Sequence, residues 1–226
     1  MSTFSNPQHV AHYADGPVRQ VPGLQALHQM ASLLLAEKVP EDGQVLVLGA
    51  GGGLELKTFA LAHPGWRFLG VDPSAEMLGL ARQTLGDLLP RATLHEGYID
   101  TAPDDLHDGA TCLLTLHFLD AAQRLQTLRQ LARRLKPGAP LVVAHHSFPQ
   151  VEPDKTRWLQ RYAAFAESNG VNREQAQSAI GAIASRLPLI SAEEDEAILR
   201  QAGFEGVELF YAGFTFKGWV GHVAGL

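Results

Sequence analysis

A chain of 226 residues with 46% hydrophobic and 19% charged content can bury one sizeable core, which excludes an unfolded tract and makes a single domain over residues 1–226 the default. The formal net charge of −6 excludes the broad basic surface that nucleic acid requires, so a small-molecule partner is expected. Cys112, the lone cysteine, excludes an internal disulfide; with no charged-then-apolar leader and no apolar run near the ~20 residues of a membrane span, a soluble cytoplasmic protein without membrane contact is expected.

In chain order, residues 1–22 are polar and broken by Pro7, Gly16, Pro17 and Pro22. They read as a loose tail or as a lid, in which His9, His12 and Tyr13 would close over a ligand. Apolar residues at 24, 27, 30, 34 and 35 predict a helix over 24–38, so 1–40 forms an N-terminal lid and helix. Residues 45–49 predict a short buried strand, followed at once by glycines at 49, 51 and 53. Glycine suits such a turn because it accepts positive φ and lets a ligand approach the backbone at a helix N-terminus; a tight turn with no ligand has the same pattern. The next helix begins near Gly53, with Leu56, Phe59 and Ala60 inward. Residues 66–71 read as a second buried strand ending on Asp72, 19 residues after Gly53. An acid there holds ribose hydroxyls, and it also suits an N-cap for a helix starting at Pro73, a role open to Ser74 as well. A dinucleotide fingerprint would place glycine at position 54, where Leu54 stands.

Residues 75–89 predict a second crossover helix with Met77, Leu78, Ala81 and Leu85 inward, and residues 91–96 a third strand. Residues 109–118 are almost wholly apolar and predict a central strand that carries Thr115 and His117 to the end of the sheet where ligands bind. A helix over 120–136 follows, with Arg129, Arg133, Arg134 and Lys136 expected on a mostly solvated face. Residues 140–146 predict the fifth strand; His145 and His146 at its end point to opposite faces, and no metal site is expected. Residues 150–188 form an insertion of two helices, 155–168 and 173–186, suited to an acceptor pocket or a dimer contact. Val171, Ala176, Ala179, Ile180 and Ile183 supply the apolar face for such a contact. A helix over 192–201 and a hairpin turning near Ala212 and Gly213 complete the chain.

The G-x-G-x-G spacing at 49–53, the acid at Asp72 and the stretch LKPGAPLVVAHH at 135–146 resemble the class I S-adenosylmethionine (SAM)-dependent methyltransferases, in the same order along most of the chain. The resemblance implies an α/β fold: a seven-stranded, mostly parallel, doubly wound, Rossmann-like sheet with an antiparallel C-terminal hairpin and the helical insertion. It implies SAM as cofactor, with Gly49, Gly51 and Gly53 against the methionine and ribose, Asp72 on the ribose hydroxyls, and Met77 or Ile99 on the adenine. Ala50, Pro73, Tyr98 and Leu113 complete the expected cofactor contacts. One departure is Val47, where many members carry an acid in the first strand. If the acceptor needs deprotonation, His117 is the first choice of general base, then His146 and Tyr98.

VPGLQAL at 21–27, LTLHFL at 114–119, the insertion and the hairpin are similar to the carboxy-S-adenosylmethionine synthases that serve tRNA wobble-uridine modification, with residues 169–204 aligning over 36 residues without a gap. Leu24, Tyr98 and Leu113 stand where that family has a tyrosine, an acid and an asparagine, and Ile180 replaces its carboxylate-binding arginine. The expected activity is methyl transfer from SAM to an unidentified small molecule. Carboxy-S-adenosylmethionine synthesis and SAM binding without turnover are the alternatives, and the resemblance also implies a homodimer.

Overall fold

Short branched runs without polar alternation must be covered on both faces, and here they form the centre of a seven-stranded sheet. The computed structural model describes residues 15–225, so His9, His12 and Tyr13 lie outside the described residues. The strands are β1 (Gln44–Leu48), β2 (Arg67–Asp72), β3 (Ala92–Glu96), β4 (Gly109–Leu113), β5 (Pro140–His146), β6 (Phe204–Gly213) and β7 (Phe216–Val223). Their order is β3-β2-β1-β4-β5-β7-β6. Strands β1 to β5 pair in parallel, and β7 and β6 run antiparallel, which is the mostly parallel sheet with a reversed C-terminal pair that the sequence implies. The winding reverses between β1 and β4, and open sheets of this kind hold ligands in the crevice beyond that point.

The helices are α1 (Asp15–Gln20), α2 (Leu24–Ala36), α3 (Leu54–Ala62), α4 (Ala75–Leu85), α5 (Ala121–Arg133), α6 (Asp154–Ser168), α7 (Arg173–Arg186) and α8 (Ala192–Gln201). One face of the sheet carries α2, α3 and α4, with α6 and α7 beside them; α5 and α8 cover the other. Each start has a local cause. Ser74 accepts from the Met77 amide to cap α4, and reciprocal capping boxes start α5 at Asp120 and α8 at Ser191.

Several elements end differently from the sequence reading. The strand expected over 109–118 stops at Leu113: Leu114 turns into left-handed space (φ 56°), and Leu116–Phe118 is a 3-10 turn. The helix expected over 75–89 ends at Leu85, where Gly86 takes a φ of 52° and a 3-10 segment, Gly86–Arg91, leads to β3. The hairpin turns at Phe214 and Thr215, two residues beyond the expected place, with Phe214 at φ 52°. Arg134, expected on a solvated face, is 2% exposed and donates to the carbonyls of Ala102 and Pro103, tying down the loop before β4. The insertion turns much of its apolar face onto its own domain: Ala176 and Ile183 are buried, and Val171, Ala179 and Ile180 pack beside them.

Candidate active site

The site begins at the glycine turn between β1 and α3. Gly49, Gly51 and Gly53 take φ values of 78°, 47° and 79°, which a side chain resists. At two of them the close neighbour is the protein itself. A Cβ on Gly49 would stand 2.0 Å from Thr115 Oγ1, and one on Gly53 would stand 2.9 Å from the Ala81 backbone. The glycines therefore let α4 and the loop after β4 close against the turn, which brings those elements to the ligand side.

Asp72, at the end of β2, fastens the turn from the other side. Its Oδ2 accepts from the Gly51 amide at 2.9 Å and its Oδ1 from the Ser74 amide at 2.9 Å. Burial raises its pKa, and these two amides act in the opposite direction. An ionised carboxylate has about four acceptor sites, so each oxygen keeps one for a ligand hydroxyl. The capping role is shared as the sequence allowed: Ser74 caps α4, and Asp72 braces Ser74.

A cavity of about 1210 Å³ opens over these groups. All ten residues expected to contact cofactor line it, from Gly49, Ala50, Gly51 and Gly53 through Asp72, Pro73 and Met77 to Tyr98, Ile99 and Leu113. The sheet order arranges them along a line: Tyr98 and Ile99 beyond β3, Asp72 on β2, the glycines after β1 and Leu113 at the end of β4. That sequence of apolar shelf, carboxylate with acceptor sites to spare and bare backbone fits an adenosine joined to a small amino-acid arm.

The three residues considered as bases are placed apart. Tyr98 lines the cavity and is 67% exposed. His117 and His146 are not among the lining residues. They are buried against each other, with the His117 Nδ1 accepting from the His146 amide at 3.4 Å. His146 also stacks on Phe216 and meets the Thr215 hydroxyl at 2.9 Å. Burial pushes the pKa of His146 down to about 3 and that of His117 well below its ordinary value, so both imidazoles are neutral.

Two buried lining residues carry polar groups that the sequence reading passed over. His28 on α2 is 7% exposed, has no hydrogen-bond partner among the described residues, and is held neutral by burial, which lowers its pKa to about 4. It sits one helical turn after Leu24, another lining residue, so the helical stripe carried a usable signal. Glu55, in the first turn of α3, is 7% exposed and accepts from the Thr111 hydroxyl on β4.

A family model described as "Methyltransferase domain" matches residues 46–141, from β1 to the start of β5. The carboxy-S-adenosyl-L-methionine synthase of Klebsiella pneumoniae (strain 342) is 26% identical over 204 residues, which covers 88% of this chain and 82% of that protein. An O-methyltransferase family protein from Burkholderia thailandensis has a structure similar to this one at a TM-score of 0.72 and 17% identity, over 98% of this chain and 62% of its own. Human N-acetylserotonin methyltransferase, solved in complex with SAM, gives a TM-score of 0.64 at 15% identity, over 98% of this chain and 57% of its own. The chain thus spans about three-fifths of those two structures, and its likeness to them is one of fold.

Proposed function

We propose that this class I SAM-dependent methyltransferase passes its methyl group to a small protic acceptor held beside the cofactor in the same cavity. The observation that carries this reading is the cavity's reach. At about 1210 Å³ it exceeds the roughly 300–1,000 Å³ of an ordinary single-ligand pocket, and its lining continues past the glycine turn to Thr115, Leu24, His28 and Pro17.

SAM supplies a methyl group already activated by its sulfonium, so the chain's work is to hold, orient and dry the reacting pair. Asp72 offers its two remaining acceptor sites to the ribose hydroxyls, and Met77 and Ile99, both buried, offer the adenine an apolar seat. Helices α1 and α2 shield the β4 end from water through Pro17 and Leu24. His28 is the lining imidazole best placed to orient an acceptor. Neutral at pH 7, it accepts a hydrogen bond from an acceptor O–H or N–H, and its depressed basicity makes it an orienting group first and a proton acceptor second. Tyr98 is the second choice among lining residues. His117 and His146, buried against each other, stand outside the lining.

The uncharged methyl is the donor group that this lining favours. Leu24 and Leu113 are apolar and buried in the lining, and Ile180 packs into the apolar clusters. Among the described lining residues there is no arginine or lysine to give a carboxylate on the transferred carbon the paired, charge-assisted bonds that offset its burial. Cytoplasmic location and a homodimer assembled through 150–188 belong to the same proposal. The buried, reduced Cys112 is consistent with the location, and sedimentation near 49 kDa, twice 24.5 kDa, is the expected dimer result.

The test is incubation of the purified chain with methyl-labelled SAM and a metabolite extract, followed by mass spectrometry. One labelled small molecule is expected, and added prephenate is expected to give no SAM species heavier by carbon dioxide. Label that stays on SAM in every extract would favour binding without turnover. A carboxylated product formed at a catalytic rate would replace the methyl-transfer reading with the synthase one.

A further inference from the structure

Glu55 is a buried lining carboxyl to which the mechanism above gives no task. It stands directly behind the glycine turn, is 7% exposed, and spends one carboxyl oxygen on the Thr111 hydroxyl. It makes no ion pair among the described residues. The ionisable group that bears on it from β4 is the Cys112 thiol, whose pKa burial pushes up. Across the same cavity stand His28, held neutral, and the carboxylates of Asp72 and Asp100. None of these groups carries a positive charge at pH 7.

A first-turn glutamate ordinarily serves the helix by facing the free amides there. Glu55 does not: it caps none of the α3 amides and reaches across β1 to β4 instead. In β1 the residue registered with Thr111 is the apolar Val47, so Glu55 is the carboxyl that serves this boundary. A buried carboxyl without a counter-charge is costly, and burial holds its pKa up at about 8. Such a group fits a site completed by a cationic ligand.

The sheet order says which part of a ligand arrives there. With the adenine shelf beyond β3, the ribose carboxylate on β2 and the bare backbone after β1, the β1–β4 boundary receives the amino-acid end of the cofactor. We propose that the Glu55 carboxylate seats the α-ammonium of SAM, an assignment that rests on the cofactor reading above. The proton balance is simple: neutral Glu55 releases one proton to solvent, and the resulting carboxylate pairs with the ammonium, which keeps its three protons.

Calorimetric titration of the full chain with SAM at pH 7, repeated in phosphate and in Tris, counts that proton from the dependence of the heat on buffer ionisation. The wild type is expected to release about 0.9 proton, the protonated fraction one unit below a pKa of about 8. Glu55→Gln keeps a neutral acceptor for Thr111; it is expected to release none and to bind SAM roughly 10- to 150-fold more weakly. 5′-Methylthioadenosine, which has the adenosine and no ammonium, is expected to bind both forms equally. SAM binding to the wild type without proton release, or equal SAM affinity in both forms, would overturn the ammonium seat and leave the cofactor reading standing. The wild-type count settles the matter even if the variant fails to fold. Failure of the wild type to bind either compound would overturn the cofactor reading itself.

Discussion

Asp72 braces the glycine turn and, in the proposed reading, also holds the ribose, and its substitution separates the two. Asp72→Ala removes the acceptor for the Gly51 and Ser74 amides, both part-buried, so a stability loss of about 2 kcal/mol is expected in thermal melts. It also removes the charged acceptor for a ribose, and calorimetry is expected to show SAM affinity lower by roughly 10- to 150-fold. A destabilised chain with unchanged affinity would leave Asp72 as a brace for the glycine turn. The glycines and Asp72 were legible because their meaning is local: a turn needing positive φ, and an acid at a strand end. Glu55 and His28 were not. Glu55 takes its character from Thr111, 56 positions away, and His28 from burial on a helix whose stripe gives only its apolar residues. Spacing along the chain puts His28 on the stripe of Leu24, but neither its burial without a partner among the described residues nor the Glu55–Thr111 contact can be read from it.

At the scale of elements, α5 and α8 are joined by a buried charge pair that no periodicity announced. Arg124 is fully buried; its Nη1 lies 2.6 Å from Asp195 Oδ1, and its other nitrogens donate to the carbonyls of Leu119 and Pro188. Burial works against the charge on Asp195, yet His145 and Arg124 hold its pKa below the usual carboxylate range. Arg124→Leu would strand that carboxylate, and a loss of about 3–5 kcal/mol in denaturant unfolding is expected. Arg124→Leu combined with Asp195→Leu is expected to cost less than the single change, because it removes the charge as well as its partner. The end of β4 was hidden for a different reason. LLTLHF is apolar throughout, and hydrophobicity alone does not say that Leu114 turns left-handed so that Thr115 packs on Gly49. The helix starts marked by Gly53 and by the Ser191 cap could be read to within a residue.

At the scale of the whole molecule, the mostly parallel sheet and its reversed C-terminal pair followed from the resemblance carried by the motifs, while the strand order and the balance of buried ionisable groups emerged only from the structure. That balance makes stability depend on pH. His28 and His146 have folded pKa values of about 4 and about 3, and that of His117 is also far down, whereas their unfolded values lie near 6.5. Below pH 6.5 the unfolded chain binds protons that the folded chain refuses, so these histidines make stability fall as pH drops. Glu55 has the opposite sign. Its folded pKa of about 8 lies above an unfolded value of 4.5, so the folded chain holds an extra proton across that interval and stability falls as pH rises through it. Three histidines outweigh one glutamate on the acid side, which places the maximum near pH 7, with a decline of about 1 kcal/mol by pH 9. Glu55→Gln is expected to flatten the alkaline side and to steepen the acid side, because the extra proton it removes is held from about pH 4.5 upward. Saturating SAM is expected to do the same to the wild type, because an ammonium beside the carboxylate lowers its pKa and removes the extra proton from the folded state. Melting curves from pH 5 to pH 9, with and without SAM, check both; an alkaline decline that survives SAM would mean that no cation reaches Glu55.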